Sequence, residues 1–234
     1  MEKKVEFKVG ALNLVGSLFT PKGRGPFPSV VIYHGRGSSR GRYLDLSKKL
    51  SKNGIMAFAF DFRGCGESDG ILEEGTQRMG IDDARGGLEF LLKQNVDKDR
   101  VGIFGSSFGG FVGAVIAGEY HIKSIVFRAP AVYPDETLDT YVDSIEELDF
   151  SREEWLSSIA YKGISKFKGN LLIIKNEKDE VVKPWVVKNY LTSAVHAIKK
   201  EMFVLKGASH SISEIPKLKK ESDDKVVNWF LETL

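Results

Sequence analysis

Short apolar runs alternate along this chain with longer stretches whose apolar residues recur at three- and four-residue intervals. Residues 5–9 and 12–19 are separated by Gly10-Ala11, which predicts a hairpin. Residues 29–33 and 55–60 are apolar enough to predict strands buried on both faces. Runs at 101–104, 122–127, 171–174 and 202–205 bring the predicted strands to eight. Helical spacing appears at 43–50, stopped by Asn53-Gly54, and at 77–94, where Met79, Ala84, Leu88, Leu91 and Leu92 share a face. Further helices are predicted at 108–117, 184–194 and 223–231.

Strands that alternate with helices imply parallel βαβ units with right-handed crossovers. The predicted fold is α/β: a mostly parallel eight-stranded sheet, antiparallel at the N-terminal hairpin, with helices on both faces. Residues 131–168 break the rhythm. They hold no strand-like run, and Ser151 and Glu154 form a capping-box pattern ahead of Trp155 and Leu156, so a short helical cap insertion is expected there. No linker-like composition divides residues 1–234, which read as one domain.

Composition narrows the class of protein. The 42% hydrophobic and 28% charged residues suit a globular chain. A net charge of +2 gives no reason to propose nucleic acid as a partner. The start, Met1-Glu2-Lys3-Lys4, lacks the apolar stretch of a secretory signal, and the apolar run at 111–118 is too short to cross a bilayer. The expectation is a soluble, cytoplasmic protein acting on a small molecule, with no membrane association. Cys65 is the only cysteine, so no internal disulfide can form.

The densest chemical pattern is Gly105-x-Ser107-x-Gly109, placed between a predicted strand and a predicted helix. A sharp reversal there strains the middle residue and exposes its hydroxyl at the start of the helix, which makes Ser107 the candidate nucleophile. The spacing of the glycines selects Ser107 over Ser106. A hydroxyl needs a base. Of four histidines, only His210 lies both after a predicted strand and downstream of an acidic loop; His121 and His196 read as surface residues. The acid that orients the base is sought after the strand at 171–174, where Asp179 is preferred over Glu177 and Glu180. Backbone N–H groups of Arg36 and Phe108 are the candidate oxyanion donors. Gly35 shares the Arg36 loop, and His34 is expected to orient it by hydrogen bonding. The Arg36 side chain either faces solvent or meets an acidic substrate group. Asp61 and Arg63 are expected to pair and so fix the loop at 61–70. Cys65 reads as an inert small residue, with a reactive thiol as the alternative.

The set His34-Gly35, Asp61-Phe62-Arg63-Gly64-x-Gly66-x-Ser68, Gly105-x-Ser107-x-Gly109, Asp179-Glu180-Val181-Val182 and Gly207-x-x-His210 resembles the α/β-hydrolase superfamily across nearly the whole chain. Gly64-x-Gly66-x-Ser68-Asp69-Gly70 and Ala129-Pro130-Ala131 are similar to small microbial carboxylesterases of the feruloyl (cinnamoyl) esterase type. Serine aminopeptidase-like and monoacylglycerol lipase-like proteins share much of the pattern. Residue 65 is Cys where these relatives often carry His. The resemblance implies the α/β-hydrolase fold and a carboxylesterase working through an acyl-enzyme on small to medium acyl or aryl esters, hydroxycinnamoyl esters among them. The chemistry requires neither a metal nor an organic cofactor.

Two rival functions remain open on sequence grounds. An aminopeptidase or amidase would need an amine site, for which Glu146, Glu147, Glu153 and Glu154 are candidates. A non-catalytic binding protein could keep the fold without the reaction. The aromatics Tyr133, Tyr141, Phe150, Trp155 and Tyr161 either line a substrate pocket or form the cap's own core.

Overall fold

In a computed structural model of the chain, which describes residues 1–147 and 150–234, eight strands form one sheet. They are β1 (Glu2–Val9), β2 (Leu12–Phe19), β3 (Phe27–Tyr33), β4 (Met56–Phe60), β5 (Val96–Ser106), β6 (Ser124–Arg128), β7 (Asn170–Asn176) and β8 (Lys199–Leu205). The helices are α1 (Leu44–Lys52), α2 (Gln77–Leu92), α3 (Phe108–Glu119), α4 (Arg152–Leu156), α5 (Ile159–Lys166), α6 (Pro184–Ser193) and α7 (Pro216–Thr233). The strand order is β1-β2-β4-β3-β5-β6-β7-β8. β2 runs antiparallel to both of its neighbours, and every pairing from β4 to β8 is parallel.

The apolar runs of the central strands are explained by burial on both faces. Along β3, Val31 and Tyr33 enter the core shared with α2 and α3, while Val30 and Ile32 enter the core shared with α1 and α7. β6 alternates in the same way, Ile125 and Phe127 against Val126, and the next position on the α1/α7 face is Arg128. The hairpin closes through Gly10, whose φ of 57° suits a two-residue turn.

Several elements are longer than the apolar pattern predicts, among them β5, which starts at Val96 rather than Val101. β8 begins at Lys199, because an edge strand with one neighbour can carry a polar start in solvent. α7 begins at Pro216, which fits the first helical position, and its first turns are polar and exposed.

Between β6 and β7 the chain forms two 3₁₀ turns (Asp135–Thr137 and Val142–Glu147), then α4 and α5. The capping box of Ser151 and Glu154 is present at α4. α5 lies against α3 on the flank of the sheet. The contact is close because Gly163 meets the backbone of Ala114 and of Gly118; a Cβ at Gly163 would stand 2.3 Å from the Ala114 carbonyl oxygen. Gly163→Ala must therefore push the helices apart. It is expected to destabilise the fold by about 1–3 kcal/mol, read as a lowered urea midpoint. An unchanged midpoint would show that α3 and α5 can separate by a methyl group without cost.

Candidate active site

The turn at Ser107 follows from its glycines. Ser107 has φ 52° and ψ −117°, a strained combination for a residue with a side chain, and α3 starts immediately after it. A Cβ at Gly105 would lie 2.4 Å from the Gly109 carbonyl oxygen, and one at Gly109 would lie 2.1 Å from that of Tyr33. Only residues without a side chain let β3, β5 and α3 meet this tightly. The turn is also pinned to the next strand. The Ser107 N–H donates to the Arg128 carbonyl (3.0 Å), and the Ser107 carbonyl accepts from Ala131 (3.0 Å) as well as from Gly110 (2.8 Å). Ala129 between them has φ 44°, a second strained residue beside the site.

The structure brings Ser107, His210 and Asp179 into one hydrogen-bonded chain. The Ser107 Oγ to His210 Nε2 distance is 3.0 Å, and His210 Nδ1 lies 3.0 and 3.1 Å from the two Asp179 oxygens. An Nδ1–H donated to a carboxylate leaves Nε2 free to accept the serine proton. Burial opposes ionisation of Asp179, but the His210 hydrogen bond and the N–H groups of Val182 and Val181 outweigh it and lower its pKa. The rival acids serve elsewhere. Glu177 accepts from the Gly207 N–H (2.8 Å) and Glu180 from the His210 N–H (3.2 Å). Asn176, which ends β7 and was not singled out in the sequence, donates to the carbonyls of Ser209 and His210 (2.8 and 3.1 Å). A buried amide closing an apolar strand was the available clue. His121 and His196 are exposed.

His34 holds the neighbouring loop. Its Nε2 accepts the Phe62 N–H (3.0 Å), so Nδ1 carries the proton donated to the Gly35 carbonyl (2.7 Å). Gly35 abuts the turn at Ser107: a Cβ there would be 3.3 Å from the Ser107 Cβ. Among the described residues the Arg36 N–H has no protein acceptor, and the Phe108 N–H, first in α3, has none within its helix.

Two side-chain expectations need correction, and the alternatives left open for the aromatics are decided by packing. Asp61 and Arg63 do not pair. Arg63 makes a two-pronged ion pair with Asp83 of α2 (Nη2–Oδ1 2.6 Å, Nε–Oδ2 2.9 Å). Asp61 binds the Arg40 guanidinium and the N–H groups of Arg40 (2.7 Å) and Glu67 (3.1 Å). Adjacent loop residues point to different neighbours, so each carboxylate takes an arginine from another segment. The Arg36 side chain neither faces solvent freely nor awaits a substrate. It is bound to Asp143 (2.9 Å) and to the Leu72 carbonyl. The aromatics between β6 and β7 do not line the cavity beside Ser107. Tyr133 packs on Phe108 and Phe111, Tyr161 on Tyr190, and Phe150 on Trp155, while Tyr141 is exposed. Burial raises the Cys65 pKa, which favours the thiol over the reactive thiolate.

Comparison with known proteins bears on the family and the fold. Residues 25–160 match the family model described as "Serine aminopeptidase, S33". The chain belongs to this family. The matched region ends before Asp179 and His210. The esterase EstD of Thermotoga maritima is 28% identical over 145 residues, 58% of this chain and 35% of EstD. The chain spans 35–38% of the lengths of EstD and of two matching Escherichia coli proteins. Among solved structures, Est1E of Butyrivibrio proteoclasticus, crystallised with ferulic acid, superposes with a TM-score of 0.77 at 17% identity and covers 98% of each chain. The Pyrococcus furiosus esterase Pf2001 superposes with a TM-score of 0.72 at 25% identity, over 98% of this chain and 93% of its own. The fold is that of the α/β-hydrolases.

Full burial lowers the His34 pKa from 6.5 to about 4, so folding keeps this ring neutral. Between those two values the unfolded chain takes up a proton that the folded one refuses. His34 therefore costs stability as pH falls through this window, up to about 3 kcal/mol. In His34→Gln, whose amide can both donate and accept, urea unfolding should depend less steeply on pH between 6.5 and 4 than in the wild type. Parallel profiles would remove His34 as a source of acid sensitivity.

Proposed function

We propose that the protein is a serine carboxylic-ester hydrolase working through an acyl-enzyme on small to medium acyl or aryl esters. The observation that carries this reading is the continuous hydrogen-bonded chain from Ser107 through His210 to Asp179, with the serine on a strained turn. Ser107 attacks the ester carbonyl as His210 Nε2 takes its proton, and Asp179 stabilises the imidazolium. The N–H groups of Arg36 and Phe108 receive the oxyanion. His210 passes the proton to the leaving alcohol, then activates the water that releases the acid.

The cavity beside Ser107 holds about 170 Å³, which favours short acyl groups. Hydroxycinnamoyl esters stand at the bulky end of the range, and their support is the resemblance in motifs alone. Amide or peptide hydrolysis is the second reading, favoured by the family's description. Against it, basic side chains outnumber the single carboxylate, Asp223, on the cavity wall, and Glu154 is engaged by Ser151. Glu153 lies on the short helix α4. The side chains of Glu146 and Glu147 lie outside the described residues.

Ser107→Ala should abolish labelling by a fluorophosphonate probe and p-nitrophenyl acetate hydrolysis while leaving the melting temperature close to wild type. Labelling of that variant would remove Ser107 as nucleophile. Asp179→Asn should lower kcat by about 10³–10⁴, measured with the same ester. Higher kcat/KM on aminoacyl anilides than on p-nitrophenyl esters would favour the second reading.

A further inference from the structure

Arg128 ends β6 beside Ser106 of β5 and projects on the α1/α7 face, where it borders the cavity that also contains Ser107 and His210. Its guanidinium is under-satisfied. Nη2 donates to Ser106 Oγ (2.9 Å) and, at 3.4 Å, to the Tyr43 hydroxyl, both neutral. Nε is buried without a partner. Among the described residues no carboxylate lies within ion-pairing distance of it. Arg42, on the same cavity, bonds only the Ser213 hydroxyl (2.5 Å). Arg36 is matched by Asp143, and Lys219 by Asp223 (3.1 Å) and Asp45 (3.3 Å); Asp223 also lines the cavity, and its carboxylate acts on Arg128 from beyond ion-pairing distance.

The contrast within the chain is sharp. Arg36, Arg40, Arg63, Arg78, Arg85 and Arg100 each hold a carboxylate. The partly buried Arg128 guanidinium has only neutral hydrogen-bond partners and shares the more distant Asp223 carboxylate with Lys219, so an anion on the cavity side would complete it. Arg128 and the exposed Arg42, both on the wall of the cavity, supply the fork geometry that suits a carboxylate.

We infer that Arg128 and Arg42 form an anion subsite that selects esters bearing a second, free carboxylate. This inference rests on the serine-esterase reading for the reaction, but the subsite is defined by its own contacts. The ester carbonyl sits at Ser107, and the free carboxylate reaches Arg128 across a short chain. Neutral esters of equal length lose that contact.

The test compares charged and neutral esters of matched length. Wild type should hydrolyse mono-p-nitrophenyl glutarate with kcat/KM about tenfold or more above p-nitrophenyl pentanoate, and added salt should shrink the ratio. In Arg128→Gln the ratio should fall about tenfold, mainly through KM, and Arg128→Lys should retain part of it. Arg42→Gln, an exposed change, repeats the measurement where Arg128→Gln fails to fold. A second pair, 4-acetoxybutyrate against butyl acetate followed by pH-stat, places the carboxylate on the alcohol side if the preference appears there instead. Ratios near one in both pairs, unchanged by every variant, would overturn the subsite. Titration calorimetry with glutarate separates the two layers of the inference. Binding to wild type that is lost in the arginine variants, with no ester hydrolysed, keeps the subsite and rejects the esterase reading. Hydrolysis of neutral esters with no charge preference and no glutarate binding does the reverse.

Discussion

The turn at Ser107 is clamped between the ends of two neighbouring strands, and the rest of the site depends on that clamp. Its N–H is tied to Arg128 at the end of β6 and its carbonyl to Ala131 just beyond. On the other side Gly109 presses its backbone against Tyr33, the last residue of β3. A strained residue costs about 1–3 kcal/mol and persists only where its surroundings over-determine it. Here three parallel strands supply that constraint. The hydroxyl, the Arg36 loop and Arg128 are all placed relative to one another by the same set of backbone contacts.

The loops around the turn are positioned by buried polar groups rather than by packing alone. His34 links the β3 loop to Phe62 after β4, as a neutral ring that both accepts and donates. Glu177, Asp179, Glu180 and Asn176 all reach the loop carrying residues 207–210, each through a different atom. A loop held at four points has little freedom to carry His210 away from Ser107. Such over-determination resembles what preorganised electrostatic catalysis requires, since donors and acceptors must be in place before charge develops.

The charges lining the cavity divide into those the fold has matched and those it has left open. Arg36, which the sequence presents as a candidate for substrate contact, is consumed by Asp143 and Leu72. Arg128, which looks like an ordinary strand-end residue, keeps a buried Nε without a partner. Pairing depends on where neighbouring segments cross, and that is a property of the sheet order β4-β3-β5-β6 rather than of local spacing.

The sequence by itself determined the layer architecture, because period-two and fully apolar runs alternate with helical spacing, and burial on both faces requires such runs. It also singled out Gly105-x-Ser107-x-Gly109, since the glycines record a close approach that no other residue permits. What only the tertiary structure decided was partnership. Asp61 with Arg40 and Arg63 with Asp83 replaced the adjacent pair expected from the sequence, because side chains two apart on a loop point to different segments. The polar starts of β8 and α7 were invisible to an apolar pattern, since edge and surface positions need no burial. Asn176 and Arg128 were likewise silent: a single polar residue closing an apolar strand acquires meaning only when the neighbouring loop or strand end is known.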